Sequence, residues 1–304
     1  MYDNDTQLES LLIVITAPTS QIGRQVLDGL LAADEKLRVV ARDPARLPDR
    51  ARNRVEIVQG SHGDPAVVDR AFAGADTVFW LAPPNPRADS VEAAYLDFTR
   101  PACEAFARHG VQRVVGISAL GRGTPQAEHA GLVTASLAMD DMIASSGVHY
   151  RALTMPSFMD NILNQTDVLN SGVLTSPMSG ERSAPVCATR DIAGAAAALL
   201  GDDSWTGNGS VPVLGPEDLS FRDMAGIISE VLARPIDFQR ISGETLRENL
   251  NGHGMSEAMA QGMVDMMLAK NDGLDNAEPR TPESTTPTSF RQWCEEVLKP
   301  ADTR

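Results

Sequence analysis

Cysteine is scarce in this chain. Cys103, Cys187 and Cys294 lie far apart and show no metal-ligand spacing. An odd number of thiols without a secretory leader excludes a disulfide-stapled scaffold and points to a reducing compartment. Long apolar runs are missing as well: a stretch such as residues 192–200 falls well short of the ~20 residues needed to cross a bilayer. The opening segment, MYDNDTQLES, is polar and acidic, unlike a signal peptide. A cytoplasmic protein is expected. Positive charge is also in deficit, with 26 Lys and Arg against 41 Asp and Glu and a formal net charge of −15. This balance excludes nucleic acid and anionic membranes as partners, since both demand a basic face. A small molecule is the expected partner, and nothing in the chain specifies an assembly state.

Catalytic signatures are equally thin. No Walker turn, HExxH, GxSxG elbow or defensible paired-carboxylate motif occurs. Glycine is missing where one motif most needs it. Residues 11–26, LLIVITAPTSQIGRQV, run from a buried-strand pattern through a tight turn into a helix, the outline of a dinucleotide-binding turn. That turn uses three glycines: for the bend, for backbone approach to pyrophosphate, and for helix–strand packing. Here the positions are Ala17, Ser20 and Gly23, with Pro18 between the first two.

What is present is a regular alternation. Leu11–Ile15, Leu37–Ala41, Val55–Val58, Thr77–Leu81, Arg113–Ser118 and His149–Thr154 read as short buried strands. Helical patterns at Gln21–Ala32, Pro65–Phe72, Ser90–Arg108 and Leu132–Ser145 separate most of them. Such alternation predicts a doubly wound, mostly parallel α/β sheet with right-handed crossovers. After Pro156 the rhythm loosens: helices are expected at Asp191–Leu200, Phe221–Leu232 and Phe290–Leu298, a strand at Val211–Leu214, and an exposed loop at Asn271–Ser289. The expected division is a dinucleotide-binding-type domain over 1–155 and a smaller α/β substrate-binding part over 156–304, interleaved with the same core.

Eight segments in order carry a family resemblance: ITAPTSQIGRQV, VVARDPARL, VEIVQGSHGDPAVVDRAFAGADTVFWLAPP, HGVQRVVGISALG, SGVHYRALTMPSFMDNIL, TRDIAGAAAALL, VLGPEDLSFRDMAGIISEVLARPIDF and TPTSFRQW. Together they span about residues 11–297 and resemble the NmrA-like family of atypical short-chain dehydrogenases/reductases. The resemblance implies a Rossmann-like fold; for activity it implies reductases, cofactor-binding redox sensors and redox-neutral members alike. Three departures stand out. The family turn resembles GATGxxG, whereas Ser20 here projects a side chain toward the pyrophosphate position and Pro18 lacks an N–H. The Gly-Asp usual after the third strand is Gly60-Ser61-His62. The helix lysine of many reductase members falls at Ser136, counting from Gly147 with Asp140 matched to the family's acidic residue, so no ammonium is expected there. One feature points the other way: Arg42 ends the second strand 19 residues beyond Gly23, where an arginine suits a 2′-phosphate, with Arg46 in the next turn.

Ligands of such sheets lie over the carboxyl ends of the strands. This rule selects Ala82-Pro83-Pro84 after the fourth strand, Ser118-Ala119-Leu120 after the fifth, and Met155-Pro156-Ser157 after the sixth. Ser118 stands where ordinary short-chain dehydrogenases keep a catalytic serine, yet no Tyr-x-x-x-Lys pair follows it. Tyr95 is expected half-buried on its helix. His129, in the loop leaving the fifth strand, is the candidate general acid or base. His62 is a candidate to stack a flat ligand on the adenine side, His109 to cap a helix end, and His149 and His253 to be structural or exposed. Asp160 and Asn161 resemble a family motif below the substrate pocket, and Asp191 is expected to cap the helix it begins. Met255, Met259, Met263 and Met266 share one helical face, and Met139, Met142, Met155 and Met159 bracket the pocket rim. The candidate set is thus Ser118 and His129 for catalysis; Pro83, Pro84, Met155, Phe158, Asn161, Met259 and Met263 for substrate; and Thr16, Thr19, Ser20, Gln21, Ile22, Arg42 and Ala82 for a cofactor. No metal is expected.

The three departures favour an enzyme acting on a flat, apolar aromatic or quinonoid molecule without net hydride transfer, by dehydration, elimination, isomerisation or stereocontrolled addition. The alternatives are an NADPH-dependent reductase of a quinone or enone and a non-enzymatic NADP-binding redox sensor. The expected cofactor is none or NADP(H), with NADP preferred over NAD if either binds.

Overall fold

The computed structural model describes residues 11–302; the acidic leader MYDNDTQLES lies outside the described residues. Twelve strands are described in chain order: β1 (Leu12–Thr16), β2 (Lys36–Ala41), β3 (Glu56–Gln59), β4 (Thr77–Trp80), β5 (Arg113–Ala119), β6 (His149–Met155), β7 (Ser157–Phe158), β8 (Val173–Ser176), β9 (Ala184–Cys187), β10 (Asn208–Pro212), β11 (Asp218–Leu219) and β12 (Asp237–Arg240). Among them run α1 (Gln21–Ala32), α2 (Asp49–Arg52), α3 (Pro65–Phe72), α4 (Phe98–His109), α5 (Leu132–Ala144), α6 (Thr166–Asn170), α7 (Thr189–Leu200), α8 (Phe221–Leu232), α9 (Gly243–Gly252) and α10 (Glu257–Asn271).

Seven strands form one parallel sheet in the order β10-β6-β5-β4-β1-β2-β3. The chain winds outward from β1 to β3, then crosses back to β4 on the other side of β1. Loops leaving β1 and β4 therefore diverge, opening a crevice at their carboxyl ends. Both faces of the sheet are covered, which is why β1 and β4 are buried throughout and read as unbroken apolar runs. On one face, Ile22, Val26, Leu27 and Leu30 of α1 pack with Ile192, Ala193, Ala196 and Leu200 of α7. On the other, Val68 and Phe72 of α3 meet Ala102 and Phe106 of α4 and Ile143 of α5. Although α7 and β10 follow residue 156, they complete this central layer.

Sequence expectations and structure differ where local chemistry intervenes. The expected Ser90–Arg108 helix is α-helical over Phe98–His109, after a wider turn at Ala93–Asp97. Pro101 explains this: it has no N–H for the carbonyl four residues back, and a widened turn absorbs the defect. The last sheet strand begins at Asn208, not Val211, because it pairs along Tyr150–Thr154 of β6. Strands β8, β9 and β12 escaped the sequence reading; they are two- to four-residue pairings in small satellite sheets, too short for periodicity.

One helix reaches back from the C-terminal part. α10 lies against α5 through a backbone contact at Gly131 and Gly262. A Cβ on Gly131, whose φ is +53°, would stand 2.1 Å from the Gly262 carbonyl oxygen. Only glycine there lets the helix settle over the strand ends.

Candidate functional site

The β1–α1 turn keeps its shape without its glycines. Ala17 takes the left-handed conformation itself, at φ +49°. Pro18 follows in a tight turn closed by the Ser20 N–H donating to the Ala17 carbonyl at 3.0 Å. Ser20 caps α1, its Oγ accepting from Gly23 N–H at 3.0 Å. Gly23 is needed as it stands, since a Cβ would lie 2.2 Å from the Ala17 oxygen. The Gln21 and Ile22 amides of the first turn have no intrahelical partner, as at every helix start. They face an anion-favouring end of the helix dipole.

From Ser20, Gln21 and Ile22 a cleft of about 460 Å³ runs past Leu81 and Ala82 to Ser118, and on to Met155, Phe158 and Asn161. Its lining is mostly apolar, with Tyr95, Ile117, Leu132, Met139 and Met266 contributing. Ser118 ends β5 and is buried, donating its hydroxyl to Asp140 Oδ2 on α5. The Tyr150 hydroxyl donates to Asp140 Oδ1 at 2.6 Å. Tyr150 reaches this carboxylate across β5 because Gly116 has no side chain; a Cβ there would stand 2.2 Å from the phenol oxygen. Burial pushes the Asp140 carboxyl up to about 6, against the opposing pull of the Ser118 and Tyr150 hydrogen bonds and nearby Arg122. Burial and the adjacent carboxylate push the Tyr150 phenol well up, so it remains a donor. The proton that Asp140 takes up near neutrality therefore belongs on Oδ2, against Ser118. Tyr95 also lines the cleft, and burial raises its phenol pKa.

Several expected site residues lie elsewhere. His129 ends a short 3-10 turn, is exposed and is absent from the cleft lining. Packing of Ala127 and Ala130 against Leu137 and Leu274, and the Ala130 N–H bond to Thr134, turn the imidazole outward. Thr16 is fully buried; its hydroxyl donates to the Phe79 carbonyl at 2.8 Å and accepts from Leu81 N–H, bridging β1 to β4. Thr19 and Pro83 flank the cleft without lining it. Met259 is core, packed with Ala88, Ala94 and Leu132, and Met263 joins that cluster; the methionine of this face that reaches the cleft is Met266.

His62 is no ligand-stacking group. It is buried edge-on to Trp80 and Phe98, with Nε2 at 3.0 Å from the Leu81 carbonyl. Burial lowers its pKa to about 4, so Nε2–H donates and the ring stays neutral. His109 pairs with Asp69 at 2.9 Å across α3 and α4. Asp160, not Asp191, caps α7: its Oδ2 accepts from Thr189 N–H at 3.0 Å, while Oδ1 accepts from the Gln21 side chain. Asp191 instead anchors Thr288. Arg42 stands exposed at the carboxyl end of β2.

Two further candidate positions carry no motif in the sequence. Asp140 is marked there only by its match to a family acidic residue, and its spacing from Ser118 follows no rule. Lys270 of α10 is buried, lines the cleft and is ion-paired with buried Asp275. The available signal was a lysine ending an otherwise apolar helical face.

Comparison with known proteins agrees with this architecture. Residues 18–203, well over half of the chain, match the NAD(P)H-binding family model. The chain is 30% identical over 291 residues to (4-alkanoyl-5-oxo-2,5-dihydrofuran-3-yl)methyl phosphate reductase of Streptomyces griseus, covering 94% of this chain and 97% of that protein. It is 25% identical to the NAD(P)H azoreductase of Xenophilus azovorans, over 90% and 93% of the two chains. The crystal structure of an NADPH-dependent quinone oxidoreductase from Escherichia coli complexed with NADPH shares the fold, with a TM-score of 0.78, 19% identity, and 94% and 99% coverage. The chain therefore belongs to the NAD(P)H-binding family, the fold being the one that its resemblance to atypical short-chain dehydrogenases/reductases implies.

Proposed function

We propose that this protein is an NADP(H)-dependent reductase of a flat, largely apolar carbonyl compound such as a quinone or enone. The observation that carries the reading is a single cleft joining the N-terminus of α1 to the Ser118–Asp140 pair. It departs from the redox-neutral expectation, because the folded chain offsets the departures that motivated it. Ala17 adopts the glycine-like conformation, so the bend survives. His62 is a buried packing residue whose ring stays neutral, so it brings no charge to the Gly60-Ser61-His62 segment. A cation does enter the cleft, from Lys270.

The residues present fit a dinucleotide. Gln21 and Ile22 N–H groups would meet the pyrophosphate at the helix start. Arg42 would pair with a 2′-phosphate and favour NADP over NAD. Ala82 and Ser20 would flank the cofactor between its two ends. Bound there, the reduced nicotinamide supplies a hydride. The chain itself supplies shape and a proton. Met155, Phe158, Met266 and Leu132 hold a planar substrate by apolar contact, while Pro84 and Asn161 close the rim. Ser118 donates its proton to the reduced, anionic substrate, and the Asp140 carboxyl replaces it through Oδ2. Related proteins named as reductases of quinones, azo compounds and a furanone phosphate support this class of reaction.

Titration with NADPH, NADP and NAD, followed by thermal unfolding, tests the reading. At ~100 Kd a ligand selective for the native state adds roughly 2.7 kcal/mol. NADPH and NADP are expected to raise the melting temperature more than NAD, and Arg42→Ala to erase the difference. Oxidation of NADPH should then follow addition of 1,4-naphthoquinone. No shift at millimolar NADPH returns the protein to redox-neutral chemistry; a shift without turnover of any quinone or enone makes it a sensor.

A further inference from the structure

Lysine is rare in this chain: three of the 26 cationic side chains are lysines, at 36, 270 and 299. Lys36 and Lys299 are exposed, whereas Lys270 is 4% exposed. Its Nζ donates to Asp275 Oδ2, itself buried, and this is its one hydrogen-bond partner among the described residues. Two of the three ammonium donors are thus left over. Asp275 Oδ1 is buried with no partner. The pair sits where α10 and the turn after it close on the strand ends. Every other residue lining the cleft is formally uncharged, including Ser136, the position at which many reductases of the resembled family carry a lysine.

We propose that Lys270 binds the carbonyl oxygen of a neutral, conjugated substrate and stabilises the negative charge that grows on it. This rests on the reductase reading above. Asp275 is a positioning residue that holds the ammonium and keeps the pair neutral. Neutrality decides the class of ligand. A phosphate or carboxylate would enter a low-dielectric cleft facing one cation whose charge is already balanced, and its desolvation would go uncompensated. A neutral carbonyl has no such cost, and its oxygen gains a charge-assisted hydrogen bond that strengthens as the bond is reduced. A reduced dinucleotide held at the α1 N-terminus would supply the hydride, with its electron pair, to carbon. The π pair moves onto the oxygen beside Lys270, and the anion then takes one proton from Ser118, which Asp140 restores. Overall the carbonyl system gains a hydride and a proton, that is two electrons and two protons, and the dinucleotide would leave oxidised by two electrons. The site therefore selects against the phosphorylated substrate class named for the Streptomyces relative.

Calorimetric binding without cofactor tests this, using 1-tetralone, tetralin (the same skeleton without oxygen) and 1-naphthyl phosphate. The parent should prefer 1-tetralone over tetralin by about tenfold, the scale of one hydrogen bond to a charged group. Lys270→Met leaves Asp275 buried and unpaired, so the informative variant is Lys270→Met with Asp275→Asn, which removes both charges. That variant should bind tetralin like the parent and lose the preference for 1-tetralone. A preference retained in the double variant, missing in the parent, or surpassed by tighter binding of 1-naphthyl phosphate would overturn the proposal. NADPH titration of the same samples separates the two readings: parent and variant should show equal shifts, and loss of the shift in both defeats the reductase reading independently.

Discussion

At Ala17 the backbone pays for a missing glycine. An L-residue in the left-handed region costs about 1–2 kcal/mol, and Ala17 sits there to keep the turn. Ala17→Gly should raise stability by about 1 kcal/mol in chemical denaturation; lower stability would mean the turn is set by Pro18 and not by φ at 17. The Ser118–Asp140 pair makes a second claim at this scale. If Asp140 reloads Ser118, turnover needs its protonated form, and kcat should fall as pH rises through about 6. Ser118→Ala should lower kcat by ~10²–10⁴ while leaving NADPH binding intact, and Asp140→Asn should remove the limb near pH 6. A limb that persists in Asp140→Asn would assign it to another group. Ser118 was legible in the sequence from its place at a strand end. Asp140 was not, because the hydrogen bond joins residues of different elements and no spacing rule encodes it. For His129 the sequence shows a loop that leaves a strand end, whereas the exposure of the ring and its absence from the cleft lining depend on how the alanines around it pack.

Among elements, the parallel strands were readable because burial on both faces leaves short runs rich in β-branched and apolar residues, as in residues 12–16 and 77–80. The helix of methionines was readable as a helix but not as a cleft wall. Its 3.6-residue period gives a face; which turn of that face reaches the site depends on where α10 crosses α5. The crossing is fixed by Gly131 and Gly262, whose backbones meet without room for a Cβ. Gly131→Ala combines that clash with a positive φ and should destabilise by about 2 kcal/mol or more. It should also weaken apolar ligand binding, since Met266 and Lys270 would be displaced together. Equal stability and binding in Gly131→Ala would show that α10 is held elsewhere.

For the whole molecule, two buried groups set opposing pH dependences. His62 titrates at about 4 folded against 6.5 unfolded, so its contribution is complete above pH 6.5 and is lost as pH falls toward 4. Asp140 titrates at about 6 folded against 3.8 unfolded, so its contribution is present below 3.8 and is lost as pH rises through 6. Each is worth roughly 3 kcal/mol, and between pH 4 and 6 they largely cancel. This pair should therefore add little net slope to stability across that window in the parent. In Asp140→Asn stability should decline on acidification, and in His62→Gln it should rise; identical profiles in all three proteins would rule the compensation out. None of this was visible in the sequence, where a histidine after a strand and an aspartate on a helix carry no mark of burial.

The charge in the cleft travels on the helix that roofs it. Lys270 reaches the strand ends only because the Gly131–Gly262 contact seats α10 on α5, with Asp275 in the turn behind it. The sheet contributes uncharged walls, and the one formal charge in the lining is delivered by a different element. Reseating that helix would therefore change the polarity of the slot while its strand-end walls stayed as they are.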